Sequence, residues 1–216
     1  MKLRLISRAL VLALVVLIGG LLLVRQLTAA SRSPAGSSSQ SGASALRGAD
    51  LGATPAPDFM LTAADGASVS LHGLSGHPVV LTFLYTHCPD ECPLTADKLH
   101  VTAQSLGEHG AAQVRWVVVS VDPTGDTPAA ASAFLAAHHL SGTAQYLLGT
   151  QAQLAPVWDA YHIAVQPGHD AQVSLGGVMH TVGVFVLDAQ GRERTYFDGG
   201  FDPVDLAFDL RALGAL

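Results

Sequence analysis

The chain is poor in cysteine: Cys88 and Cys92 are the two it has in 216 residues. A bridge between them would close too small a loop to remove much chain entropy, which argues against a purely structural disulfide. Cationic residues are scarce as well. From Leu51 onward five Lys/Arg (Lys98, Arg115, Arg192, Arg194, Arg211) face sixteen Asp/Glu, a net −11. That excludes the basic footprint of a nucleic-acid binder and reads as an acidic, solvated surface. No internal repeat, Gly-rich phosphate loop or Ser-His-Asp arrangement stands out. Charged residues make up only 13% and hydrophobic residues 49%, which excludes wholesale disorder and leaves room for one domain with a sizeable core.

Both cysteines lie in Phe83-Leu84-Tyr85-Thr86-His87-Cys88-Pro89-Asp90-Glu91-Cys92-Pro93. An apolar, β-prone run precedes this stretch and a helix-like run follows it. A strand-to-helix junction presents outward N–H groups, which favour thiolates. On a regular helix residues four apart have Cβ atoms about 5–6 Å apart, whereas a disulfide needs roughly 3.5–4.5 Å. Pro93 argues against a regular helix through Pro89. The expectation is an irregular turn over 88–92, with the helix starting at Pro93. Such a turn lets the sulfurs either close on each other or grip one ion.

Only one long apolar run exists. Ala9–Val24, sixteen uncharged residues after Lys2, Arg4 and Arg8, is short for a span of about 20, and flanking residues extend it. The leading charges keep the N-terminus cytoplasmic and export the rest to an oxidising side. Thr28-Ala29-Ala30 offers a signal-cleavage alternative, but Arg25 between run and site favours a retained anchor. Residues 1–30 therefore read as membrane anchor or signal sequence, 31–54 as a flexible Ser/Gly/Ala linker, and 55–216 as the folded domain.

Within that domain, Phe59–Thr62 and Ser68–Leu71 flank Asp65-Gly66 as a hairpin. Val79–Tyr85 and Val114–Val121 read as buried strands. Helices are expected over Pro93–Leu106, Pro128–His139, Gln151–Tyr161 and Pro203–Leu213. Pro156 should kink or delay the third. Tyr146–Leu148 is a short strand, His162–Val165 is weakly β-like and Pro167–Gly177 is a loop. Val182–Leu187 and Arg194–Phe197 form a closing hairpin. This order gives an α/β sandwich on a mixed sheet, with the first βαβ unit parallel and right-handed.

That layout sets Val182–Leu187 beside Val79–Tyr85, so His180 approaches the cysteine loop. Two sulfurs and one imidazole suit Cu(I), and Cu(II) with an added ligand; structural zinc would usually take a fourth protein ligand. His87, Met179 and the other histidines have weaker claims. His138-His139 suit a helix end, and His100 reads as a surface residue.

Tyr85–Pro93, then Ser120-Val121-Asp122-Pro123…Asp126-Thr127-Pro128, then His180 ahead of Val184–Gly191, resemble the Sco/SenC family over roughly Pro55–Leu213. The resemblance implies a thioredoxin-like three-layer sandwich with a mixed central sheet and an N-terminal β-hairpin, preceded by a transmembrane anchor. It implies copper binding through Cys88, Cys92 and His180. The implied role is assembly of the copper centre of cytochrome c oxidase, as metallochaperone, thiol reductase or both. The implied partners are the oxidase's copper-binding subunit or another copper chaperone. The implied location is the cell membrane, single-pass, with the C-terminal domain on the extracytoplasmic side. One departure stands near the site: Met179 occupies a position often acidic in the family.

The rival use of Cys88 and Cys92 is as a redox pair in thiol–disulfide exchange, with Cys88 the attacking thiolate. Three residues separate these cysteines where thioredoxin-type exchangers usually have two. Their cis-proline also has no counterpart between Pro167 and Pro203. A peroxidase would need a cation by its cysteine; here Asp90 and Glu91 are the near neighbours.

Overall fold

The computed structural model of the chain describes residues 46–167 and 178–215. The expected membrane span, most of the linker and the loop 168–177 lie outside them. Among the described residues no helix is long and apolar enough to cross a membrane.

Ten strands and four α-helices follow one another along the described chain. They are β1 (Ala49–Pro55), β2 (Met60–Ala63), β3 (Ser68–Ser70), β4 (Val79–Leu84), α1 (Glu91–Gln113), β5 (Arg115–Ser120), α2 (Pro128–Ala137), β6 (Ala144–Leu148), α3 (Gln151–Ala160), β7 (Val165–Pro167), β8 (Val178–His180), β9 (Gly183–Leu187), β10 (Arg192–Asp198) and α4 (Pro203–Ala212). Eight strands form one mixed sheet in the order β1-β10-β9-β4-β5-β6-β2-β3, and β7 and β8 form a separate ribbon.

The centre of the sheet is apolar on both faces, as a covered sheet requires: every residue of β4 and of β9 is buried. β4 pairs parallel with β5, and β5 with β6, while β9 runs antiparallel to β4. Residues opposite one another in register share a face. Thr82, Val118 and Tyr146 therefore face one side, where Tyr146 meets Phe134 of α2. Phe83 and Phe185 face the other, where Tyr161 beyond α3 packs on both. Both parallel crossovers step in one direction across the sheet, so right-handedness puts α1 and α2 on the same side. The result is a three-layer α/β arrangement.

Three expectations need correction. The first concerns β1, all but the last residue of which lies in the stretch read as linker; it pairs with β10. Just ahead of it, the Arg47 and Gly48 N–H groups donate to the buried Asp209 carboxylate on α4 at 2.6 and 3.1 Å. β1 is mostly exposed, so backbone pairing rather than side-chain burial holds it, and it leaves no hydrophobic pattern to read.

The second is α1, which begins at Glu91, not Pro93. Asp90 caps it, its side chain accepting from Glu91 N. Pro93 then falls in the first turn, where a missing N–H breaks no helical bond. Third, the helix continues past Leu106 to Gln113, with Gly107 at φ 73° interrupting it, a conformation glycine adopts without strain. β8 lies in a stretch to which the sequence pattern assigns no element; it pairs with β7 through Val165 and His180. α3 starts at Gln151 with a Thr150–Gln153 capping box and carries Pro156 inside it.

Candidate metal centre

β4 ends at Leu84 and delivers the chain to Thr86, where a buried carboxylate takes hold of it. Asp126 is 8% exposed. Its Oδ1 accepts from Thr86 N at 2.8 Å and from Thr86 Oγ1 at 2.7 Å. Its Oδ2 accepts from Ser120 Oγ at 2.6 Å and from the Tyr146 hydroxyl at 3.0 Å. One side chain thus ties the start of the cysteine loop to the end of β5 and to β6. Thr127 next to it caps α2 by accepting from Ala130 N, with Pro128 in the first turn.

Beyond Thr86 the chain turns through Cys88, whose N–H donates to Tyr85 O at 3.4 Å. Cys88 stands just outside α1 and Cys92 within its first turn. The Cys92 N–H points at Cys88 Sγ at 3.3 Å, so this sulfur sits where the helix N-terminus favours negative charge. Cys88 is half-buried, Cys92 is fully buried, and neither is in a disulfide.

The two sulfurs divide one proton unequally. A hydrogen bond from the Cys92 thiol, joined by the Asp90 and Cys92 N–H groups and the Tyr85 side chain, outweighs burial and brings the Cys88 thiol down to about 6. The same bond to Cys88, together with burial, pushes the Cys92 thiol far up. Near neutral pH, Cys88 is the thiolate and Cys92 the thiol that supports it.

His180, at the end of β8, brings its Nε2 to 3.5 Å from Cys92 Sγ. Its Nδ1 is 3.0 Å from Thr181 O. A carbonyl only accepts, so Nδ1 carries the hydrogen and the Nε2 lone pair faces Cys92 Sγ. Burial lowers the pKa of His180, favouring the neutral imidazole that metal binding requires. The Tyr85 ring packs edge-on against it with centroids 5.6 Å apart. His180 thus meets Cys92 across eighty-eight residues of sequence, and Cys88 adjoins Cys92 through the N–H contact at its sulfur.

His87 turns elsewhere. Its Nδ1 lies 3.0 Å from Thr86 Oγ1, and its donors cluster with those of Asp122 and Asp126. The role of Asp126 was missed in the sequence, where Ser120–Pro128 reads as turn and cap. The recurrence of Ser, Asp and Thr after a buried strand was the available signal.

The family model described as SCO1/SenC matches residues 48–214. The bovine mitochondrial protein SCO2 homolog is 32% identical over 125 residues, 56% of this chain and 46% of that protein. Protein SenC of Rhodobacter capsulatus is 27% identical over 150 residues, 67% of this chain and 64% of that protein. Among solved structures, Bradyrhizobium japonicum ScoI with copper bound superposes with a TM-score of 0.65 at 29% identity, covering 74% of this chain and 99% of that one. The matched segment spans about half the length of the bovine protein and of its yeast counterpart.

Proposed function

The chain belongs to the SCO1/SenC family, and from that premise we propose that it is a membrane-tethered copper-binding protein, a metallochaperone for the copper centre of cytochrome c oxidase. The observation that carries this reading is the approach of His180 Nε2 to Cys92 Sγ, 3.5 Å, in the tautomer that leaves its lone pair free. Cys88 and Cys92 bind Cu(I) as thiolates and His180 supplies the third donor; Cu(II) requires an added ligand. Cys88 reaches solvent and Cys92 does not, so Cys88 releases the ion first. Copper then passes by stepwise ligand exchange to a sulfur-rich site on the oxidase subunit or on another copper chaperone. Residues 1–30 anchor the chain in the cell membrane, and the folded domain works on the extracytoplasmic side.

The sulfur asymmetry supports a second use. The Cys88 thiolate attacks a client disulfide, forming a mixed disulfide and releasing one client thiolate. Cys92 then gives up its proton and attacks Cys88 Sγ, freeing the second client sulfur and leaving a Cys88–Cys92 disulfide. The client gains two electrons and the one proton given up by Cys92, any second proton coming from solvent, and the oxidised pair no longer binds copper.

A transfer assay separates the two. The Cu(I)-loaded full chain is mixed with the reduced copper-binding domain of an oxidase subunit, and the apo chain with the oxidised form of that domain. Copper moving to the domain supports the chaperone reading. Failure of transfer, with stoichiometric reduction of the oxidised domain, would replace it with the reductase.

A further inference from the structure

We propose a second metal site at the seam between α1 and α2, taking a borderline divalent ion, Cu(II) or Zn(II), on His100 and His139. His100 lies on α1, one turn beyond Asp97, and His139 follows the end of α2. Their ring centroids are 5.2 Å apart with planes at 41°. An imidazole nitrogen binds such an ion at about 2.0–2.1 Å, so two imidazoles sharing it at a tetrahedral angle have ring centres roughly 5 Å apart. The observed centroid spacing leaves room for a shared ion. His100 is half-buried and His139 exposed, so both reach solvent, and neither ring hydrogen-bonds another described residue.

The residue chosen at 139 is unfavourable on local grounds. His139 has φ 55°, and Leu140 N closes the end of the helix on Leu135 O at 2.8 Å. This left-handed capping position is where glycine is preferred. A histidine there sacrifices that preference and sends an imidazole across to α1. The seam is braced beside it, His138 Nδ1 lying 2.7 Å from Asp97 Oδ1, so the two rings meet on elements already fixed to each other. Imidazole pairs suit borderline divalent ions, whereas the thiolates of the cysteine loop suit Cu(I). The seam therefore takes a different ion from the loop, and the proposal stands whether or not the loop binds copper. The other convergence of donors among the described residues, His87 with Asp122 and Asp126, is weaker. Four donors already occupy the Asp126 oxygens, and three occupy Asp122 Oδ1.

The test uses the untagged full chain carrying Cys88→Ser, Cys92→Ser and His180→Ala, titrated with Cu(II) and followed by electron paramagnetic resonance. The expected result is one bound Cu(II) with hyperfine coupling to two imidazole nitrogens. His100→Ala or His139→Asn should each weaken binding about 10-fold or more and remove the two-nitrogen pattern. Asn tolerates the left-handed backbone, and metal-free melting curves matching the background show that the fold is intact. No bound Cu(II), or binding unchanged in both variants, overturns the proposal.

Discussion

Asp126 sits at the junction of β4, β5 and β6 and satisfies four donors at once. Removing its carboxylate takes the acceptor from the Ser120 hydroxyl, leaves the Tyr146 hydroxyl only Leu84 O at 3.1 Å, and frees Thr86 in the same step. Asp126→Ala should lower stability by about 3 kcal/mol, seen as an earlier urea midpoint. It should also loosen the Cys88 turn, so that Cu(I) affinity falls by more than the change in folded population explains. At Cys88 itself, alkylation by iodoacetamide should rise with pH about a midpoint near 6, while Cys92 stays unmodified. Cys92→Ala removes the main supporting hydrogen bond and should move that midpoint up toward an ordinary thiol. A midpoint indifferent to Cys92 would refute the shared proton. The approach of His180 to the cysteine loop was legible in the sequence because the scarce cysteines and the strand after His180 lie at junctions the pattern defines. Asp126 was not, because turn chemistry alone accounts for an aspartate before a helix cap, and the reach of its carboxylate back to Thr86 is a tertiary distance.

Among the elements, the β9–β10 hairpin is closed by Asp188, 3% exposed. It accepts from the Gln190 and Arg192 N–H groups at 3.0 Å each and from Arg192 Nε at 2.8 Å, with Arg194 Nη1 at 3.3 Å. Burial alone would raise this carboxyl; the bonds from Arg192 and Gln190 more than offset it, and its pKa ends below the usual value. A carboxyl lowered by folding stabilises fully above its unfolded value, and the stabilisation is lost as pH falls through the folded one. Thermal melts from pH 7 down to pH 3 should show the wild type losing stability in that lower range. Asp188→Asn should start about 1–3 kcal/mol lower at pH 7 and show less of the acid loss. The apolar runs of β4, β5 and β9 were readable because both their faces are covered. β1 was not, since an exposed strand held by backbone pairing needs no pattern. β8 was not either, since three residues paired with β7 carry no periodicity, although they are what carries His180 to Cys92.

Across the whole molecule, the sheet order brings β9 against β4 and thereby sets His180 over a loop eighty-eight residues earlier than itself. The α/β class and the parallel β4-α1-β5 unit followed from element order and handedness. The full eight-strand order did not, because the places of β1, β2 and β3 at the two edges rest on backbone pairing. The central claim is that one ion is held jointly by Cys88, Cys92 and His180. The most direct measurement is an anaerobic Cu(I) titration of the reduced full chain against a competing chelator, beside Cys88→Ala, Cys92→Ala and His180→Ala. The account predicts one tight equivalent, lost in either cysteine variant, weakened about 10-fold or more by His180→Ala, and weakening as pH falls because the ligands must give up protons. No tight binding, or tight binding indifferent to His180, would contradict it.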